Sequence, residues 1–570
     1  VLAVFALAFA AQAVGSFVQK SATWDEFSHL TAGYAALRDG DYRFSPGHLP
    51  FQRMWDALPL LLMDKVAWDA GDASAASTPE RWAQLQFDLP FRFLYKLNDA
   101  DALLYRARAM TVLLGIALGL LVYFWARELF GFRPAVLALA LYAVEPNILA
   151  HAGLVTTDFA VTCFVFGAVS FLWRLARRGT AGNLAGLTAC FVLAQVSKFS
   201  AVLLWPVVLA LLAARSLRPE AWAWGVIRAG RLTRRASRLA VAAAILCWLA
   251  LASWAGVWAA YGFRYAPAPG RAELLDFTAG SPAQRAPRLA GAVRWIEDHR
   301  LLPNAYVQSA FHGAVDIQER PAYLAGKTSA TGWWYYFPVA FLVKTPVGLL
   351  LLLAWGIVLA GGARRRERWG DGAFLVLPVA IFLGAAMRSN VNIGLRHVLP
   401  IYPFVVVLAA WGVADLFRRR RGAWAAALVG LAILESAAVF PDYLAFFNAP
   451  AGGPSRGDRW LVDSNLDWGQ DLKGLKRWMD RQGVKHVNLC YFGTADPAYY
   501  GIDCTYLPGS PFFARNLVQG PRLPGYVAVS VTRLRGVGLT EVGRAIYAPL
   551  LAMKPVAEIG HSIRVYWVER

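Results

Sequence analysis

Residues 1–18, VLAVFALAFAAQAVGSFV, carry no charge, and four residues later the chain reads Thr23-Trp24-Asp25-Glu26-Phe27-Ser28-His29. An uncharged run of this length is close to the span of a bilayer's hydrocarbon core. Two adjacent carboxylates at its exit are held at a fixed depth beside the lipid headgroups. One reading is the solvated end of a membrane helix, where charges are common. The other is a base placed where a lipid-linked substrate presents its reacting atoms. No small-residue cleavage site fits well before Asp25, so the segment reads as a retained helix and not a signal peptide.

Working outward, apolar runs of similar length recur at about 104–126, 134–150, 158–175, 183–198, 200–214, 239–260, 336–360, 372–387, 398–416 and 423–440, which with 1–19 makes eleven. Hydrophobic residues make up 57% of the 570 and charged residues only 16%. That balance excludes a soluble protein and predicts a polytopic α-helical membrane protein with about eleven transmembrane helices. The 57 basic and 37 acidic residues leave a net charge of +20, which in a soluble chain would suggest nucleic acid. Here the arginines cluster between apolar segments, so they read as topology signals and contacts to membrane lipids, with no nucleic-acid partner.

With a cytoplasmic N-terminus, one face receives Arg127 and Arg133; Arg174, Arg177 and Arg178; Arg215, Arg218, Arg228, Arg231, Arg234, Arg235 and Arg238; Arg364, Arg365, Arg366 and Arg368; and Arg418 to Arg421. The positive-inside rule makes that face cytoplasmic. The outer face then receives loops of about 20–103 and 261–335, and everything after about 442. Residues 1–441 read as the membrane domain. Residues 442–570 read as a small extracytoplasmic α/β domain, with strand-like runs at 487–492, 526–531 and 563–568 and helix-like runs at 470–481 and 541–553. Cys163, Cys190 and Cys247 fall in apolar segments as core residues. Cys490 and Cys504 could pair in an oxidising compartment.

The same topology sorts the conspicuous polar residues near helix ends. Asp25, Glu26, His48, Asp158, Lys198, Lys344, Arg396 and His397 all fall on the outer face. Charges at such depths are costly unless paired or functional. One face therefore carries carboxylates and cations together, as chemistry on a lipid phosphate requires.

These residues lie in stretches that resemble GT-C-type membrane glycosyltransferases, within them the protein O-mannosyltransferase and aminoarabinose-transferase group, which uses polyprenyl-phosphate sugars. The stretches are Trp24-Asp25-Glu26 with Gly33-Tyr34 and Gly40-Asp41-Tyr42; Pro46-Gly47-His48-Leu49-Pro50 into Leu58-Pro59-Leu60; Glu145-Pro146-Asn147 through Thr157-Asp158; Ser197-Lys198-Phe199-Ser200; and Asn392-Ile393-Gly394-Leu395-Arg396-His397-Val398-Leu399-Pro400. The likeness covers roughly residues 1–440. The run Val462-Asp463-Ser464-Asn465-Leu466-Asp467-Trp468-Gly469-Gln470-Asp471 resembles bacterial members of the wider group, without a role attached. It could suggest calcium ligation but lacks full EF-hand spacing; a solvated loop, or one packed over the site, is the simpler expectation.

The resemblance implies a GT-C fold and an inverting transfer of a sugar from a polyprenyl-phosphate donor to a glycan, lipid or protein acceptor, on the periplasmic face of a bacterial inner membrane. In such enzymes the first-loop aspartate, here Asp25, takes the acceptor's hydroxyl proton; an aspartate is ionised at neutral pH and ready to accept it. Glu26 would bind acceptor or stabilise the cationic sugar carbon. Asp158 would be a second site carboxylate, binding acceptor or a divalent metal, the only cofactor left open; an ordinary helix cap at Thr156-Thr157-Asp158 also explains it. Lys198, Lys344 and Arg396 are candidate phosphate ligands with His397 assisting, against snorkelling as the simpler role of the lysines. His29, His48 and Tyr42 are candidate substrate contacts; Glu26-x-x-His29 lacks the second such motif that a di-iron site needs, so His29 reads as structural or substrate-contacting, and for His48 a simple turn is as good an explanation. His48-Leu49-Pro50 departs from the His-Pro-Pro usual in the group. The aromatic run 333–337 reads as an interface belt. Two other classes compete: a lipid-linked-sugar transporter or flippase, which needs no base and should show internal repeats, and a scaffold displaying the C-terminal domain.

Overall fold

The computed structural model describes residues 1–70, 79–226, 230–270, 273–278, 284–316, 320–361, 369–510 and 518–569. Arg228, Arg364, Arg365, Arg366 and Arg368 of the basic loops lie outside the described residues.

Six helices among the described residues are long and apolar enough to cross a membrane: Ala100–Phe130, Asp158–Arg177, Phe199–Leu217, Arg235–Ala260, Leu395–Arg418 and Gly422–Val439. Two further spans are broken. Phe132–Ala143 bends by 60° into Pro146–Ala152, and Tyr336–Lys344 by 118° into Val347–Leu359. Three shorter apolar helices, Leu2–Phe17, Ala181–Gln195 and Gly370–Ala386, account for the remaining apolar segments. The chain is a polytopic α-helical membrane protein with a small C-terminal sheet domain.

The breaks correct two runs read as continuous, 134–150 and 336–360, and both fall at prolines. Pro146 opens its helix at a first position, where a missing N–H costs nothing, and the Glu145 side chain caps the Ile148 N–H. Thr345 is extended at φ −103°, ψ 134° because the following Pro346 disfavours helical backbone there. Lys344, expected inside a helix, is therefore its last residue. Beyond the bend, Gly348 and Gly356 let the backbones touch: a Cβ on either would stand 2.0 or 2.2 Å from the carbonyls of Leu428 and Leu408.

Helix direction separates the two ends of the bundle. Asp158–Arg177 begins at Asp158 and carries Arg174 and Arg177 in its last turn; Leu395–Arg418 begins beside Arg396 and ends at Arg418. A helix of twenty residues is about 30 Å long. Carboxylates and cations of the candidate site thus gather at one end. At the other, arginines of the basic loops pair with acids, Arg174 with Glu128 at 2.7 Å and Arg177 with Asp371 at 2.8 Å.

The two long loops are themselves folded. The first holds helices Glu26–Arg38, Pro50–Ala57 and Pro79–Tyr95; the second holds Pro287–Asp298, Asn304–Asp316 and the hairpin Ala322–Leu324 with Lys327–Ser329. The C-terminal sheet has five strands in the order Cys504–Tyr506, Val487–Cys490, Gly525–Ser530, Ile563–Val568 and Ala557–Ile559. The first three run parallel and the last two are antiparallel additions. The two outer strands, three residues each, are too short to give a pattern in sequence. Helix Leu472–Gln482 covers the sheet through Leu475 and Met479 and ends at Gly483 in the left-handed conformation. Cys490 and Cys504 are free thiols, which corrects the possible disulfide. The strand register puts Val487 opposite Cys504, and the buried Cys490 thiol donates to the Pro508 carbonyl instead. The domain does not hang free: Phe27 and Leu30 of the first loop share one buried cluster with Leu475, Leu489 and Tyr491.

Candidate functional site

Asp25 and Glu26 are neighbours in sequence and opposites in surroundings. Glu26 opens the helix Glu26–Arg38 and turns inward with no exposed side-chain surface. Its carboxylate accepts from the Thr23 N–H and hydroxyl at 2.8 and 3.0 Å, from the Val155 N–H at 3.0 Å, and from Arg108 at 2.8 and 2.6 Å. The bonds from Thr23 to Glu26 fix the turn that leads into the helix. Arg108 spends its remaining donors on the carbonyls of Phe17, Lys20 and Ser21, which closes the end of the first helix. Burial pushes the Glu26 carboxyl up, but the Arg108 guanidinium outweighs it and holds it below its ordinary value. Asp25, by contrast, makes no cap bond and keeps 18% of its side chain exposed. It faces Arg396, whose Nη1 donates to it at 2.8 Å.

The same Arg396 nitrogen lies 3.4 Å from Asp158, and Lys198 pairs with the other Asp158 oxygen. Asp158 opens its helix but does not cap it. Thr157 makes no side-chain cap bond, and the Ala160 N–H is taken by Gln52 at 2.7 Å, which leaves the carboxylate for the cations. Four charges, Asp25, Asp158, Lys198 and Arg396, therefore converge from the first loop and three separate apolar segments, and they sum to zero. The Arg396 Nε has no hydrogen-bond partner among the described residues.

Histidines line the cluster. His29 donates through its Nδ1–H to the Val155 carbonyl at 3.2 Å, and its Nε2 is unpartnered among the described residues. His48 meets it edge to face at 4.5 Å. Burial pushes His29 down to about 4, with Asp25 opposing, and holds His48 well below its ordinary value. Both are neutral at physiological pH. His397 and His151 also lie within the electrostatic reach of Asp158 and Arg396. Among the described residues no group of three or more His, Cys, Asp or Glu could hold a metal ion.

Two candidates stand apart. Lys344 is buried, and its ammonium donates to three main-chain carbonyls, those of Leu444 and Phe446 at 3.0 Å and Asn465 at 2.5 Å. All three of its protons are engaged. Tyr42 packs on Tyr261 at 4.8 Å between ring centres, in a cluster with Ala36 and Val257.

The 462–471 run, left without a role by the sequence, reaches the cluster. Trp468 is 2% exposed, and the Arg396 guanidinium carbon stands 4.2 Å from its ring centre. Asp463 sits at φ +58°, a left-handed conformation rare for a residue with a side chain. Desolvation pushes its carboxyl up to about 6, with Arg396 opposing. Sequence reasoning missed Trp468, whose only signal was its place in an acidic, polar run.

Residues 95–230 match the family model of dolichyl-phosphate-mannose-protein mannosyltransferases. The match spans Arg108, His151, Asp158 and Lys198. The chain thus resembles membrane glycosyltransferases that use a lipid-phosphate sugar donor, as its motifs imply. No curated protein sequence matches it. Among solved structures, ArnT from Cupriavidus metallidurans bound to undecaprenyl phosphate is 14% identical, with 99% of this chain and 97% of that chain covered at a TM-score of 0.46. The apo oligosaccharyltransferase of Archaeoglobus fulgidus is 14% identical over 96% of this chain and 71% of that one, at 0.46. The same organism's AglB, in complex with an inhibitory peptide and a dolichol-phosphate, is 14% identical over 93% and 69%, at 0.40.

Proposed function

We propose that this protein is an inverting glycosyltransferase that moves one sugar from a polyprenyl-phosphate donor to an acceptor hydroxyl at the periplasmic face of a bacterial inner membrane. The observation that carries the reading is the Asp25–Arg396–Asp158–Lys198 cluster, two carboxylates and two cations at the membrane end opposite the basic loops.

In the proposed reaction the donor phosphate takes Lys198 and Arg396 as counter-charges. Arg396 suits it, since a guanidinium offers paired donors to a phosphate edge. This draws Arg396 away from Asp25. The acceptor oxygen attacks the anomeric carbon from the face opposite the leaving group, and Asp25 takes its proton. The bond from that carbon to the phosphate oxygen breaks, and its electron pair stays on the phosphate, where both cations stabilise the new charge. His29 and His48 are neutral hydrogen-bonding walls for sugar or phosphate oxygens, and His397 stands beside them. Asp158 holds Lys198 in place and stands by the developing positive charge on the sugar. Glu26 and Lys344 have no part in the chemistry: the first fastens the loop that presents Asp25, and the second fastens the broken helix to the C-terminal domain.

The test is transfer by purified protein in liposomes, given a panel of radiolabelled polyprenyl-phosphate sugars and a cell-envelope extract. Label moving from lipid to an acceptor supports the reading and names the sugar. Binding of a donor with no transfer, together with label appearing in the opposite leaflet, would establish the transporter instead.

A further inference from the structure

The run 462–471 meets both halves of the site at once. Residues 21–24, which lead into Asp25, lie hydrogen-bonded alongside residues 468–470. The Ser21 N–H donates to the Gln470 carbonyl at 2.9 Å, the Ser21 hydroxyl to the Gly469 carbonyl at 3.1 Å, and the Trp24 N–H to the Trp468 carbonyl at 2.9 Å. The indole of the same Trp468 faces the Arg396 guanidinium at 4.2 Å. One residue of the C-terminal domain thus holds the backbone next to Asp25 by its carbonyl and the partner cation by its ring.

The turn is fixed from several sides. The Asn465 side chain accepts from the Leu395 N–H, one residue before Arg396, at 2.9 Å and donates to the Tyr336 hydroxyl at 2.8 Å. Its carbonyl is one of the three that hold Lys344. Gly394 admits the turn, since a Cβ there would stand 2.0 Å from the Ser464 hydroxyl. Asp467 accepts from the Thr532 N–H at 2.9 Å, and the Gln470 amide oxygen accepts from the Trp468 N–H at 2.8 Å.

We infer that Trp468 is a positioning residue for the proposed transfer, acting through Arg396; the inference rests on that proposed function. A guanidinium held face-on by an aromatic ring keeps its N–H edges free in one plane. Asp25 and Asp158 both take the Nη1 nitrogen in the present structure, and a phosphate replaces them in the reaction. The ring contact is the only one of the three that needs no exchange when the donor arrives, so it preserves the orientation of Arg396 through the change of partners. The C-terminal domain is then a working part of the donor site and not only a cover over it.

The experiment compares wild type, Trp468→Phe and Trp468→Leu as full-length proteins in liposomes. It measures donor KM and kcat for transfer, binding of undecaprenyl phosphate, and the melting temperature. A buried cation–aromatic contact predicts that Trp468→Leu loses about tenfold to thirtyfold in kcat/KM and in undecaprenyl-phosphate affinity. Trp468→Phe, smaller but aromatic, recovers most of that loss. A purely space-filling role predicts no such separation, because leucine and phenylalanine then fail together and in step with the melting temperature. Equal losses in the two variants, or wild-type kinetics for a folded Trp468→Leu, overturn the inference while leaving the transferase reading intact. A wild type that transfers no sugar from any donor overturns both.

Discussion

Arg396 donates to the Asp25 carboxylate at 2.8 Å across 371 positions of sequence. The pair closes the site between the first loop and a late apolar segment, and it gives the proposed base a resting partner that a donor phosphate can displace. Lys198 does the same for Asp158. The resting cluster is thus neutral, with its cations stored on the carboxylates they serve.

Lys198 and Lys344 look alike in sequence, each a lone lysine among apolar residues, and the structure separates them. Lys198→Met should weaken donor binding by about tenfold to a hundredfold, the worth of a charge-assisted hydrogen bond, and lower the melting temperature as well, because the buried Asp158 is left with Arg396 as its one counter-charge. Lys344→Met should lower the melting temperature and leave donor KM nearly unchanged, because three buried carbonyls lose their donor and no member of the charged cluster is touched. Donor KM and thermal unfolding in detergent, measured on both variants, check the contrast.

Glu26 and Arg108 form a fully buried pair. Removing either partner leaves an uncompensated charge, so Glu26→Leu and Arg108→Leu should each destabilise by about 3–5 kcal/mol. The double variant should fall well short of the sum, since the second change removes the stranded charge. Unfolding of the three variants gives the coupling. An additive result would mean that the two side chains do not stabilise one another.

Asp467 sets a pH dependence of stability. Burial pushes its carboxyl from an ordinary 3.8 up to about 7. Between these values the folded state keeps a proton that the unfolded state has released. Stability contributed by this group is therefore full below about pH 4 and is lost as pH rises to about 7, at up to about 1.4 kcal/mol per pH unit. Asp467→Asn should flatten this part of the profile when melting is followed across that range.

Much of this was legible in the chain, for physical reasons. Apolar length placed the eleven apolar segments, though not the bends in two of them nor the helices of the outer loops, and the charge bias of the loops put Asp25, Asp158, Lys198 and Arg396 on one face. What periodicity could not give was direction. Glu26 and Asp25 are adjacent, and only the packing of Arg108 decides which turns inward. Lys344 was misplaced because a hydropathy pattern runs straight through a 118° bend, although Pro346 marked it. Trp468 was invisible because its partner lies in another segment, and no local spacing announces a contact between a guanidinium and a distant ring.

In the proposed reaction Asp25 removes the acceptor's proton, and a single substitution tests that role. Asp25→Asn keeps the shape and the hydrogen bond to Arg396 while removing the basic oxygen. In liposomes with a radiolabelled polyprenyl-phosphate sugar that the wild type uses, the variant should bind the donor and melt like wild type, yet transfer about 10²- to 10⁴-fold more slowly. Transfer at the wild-type rate by Asp25→Asn would contradict the account.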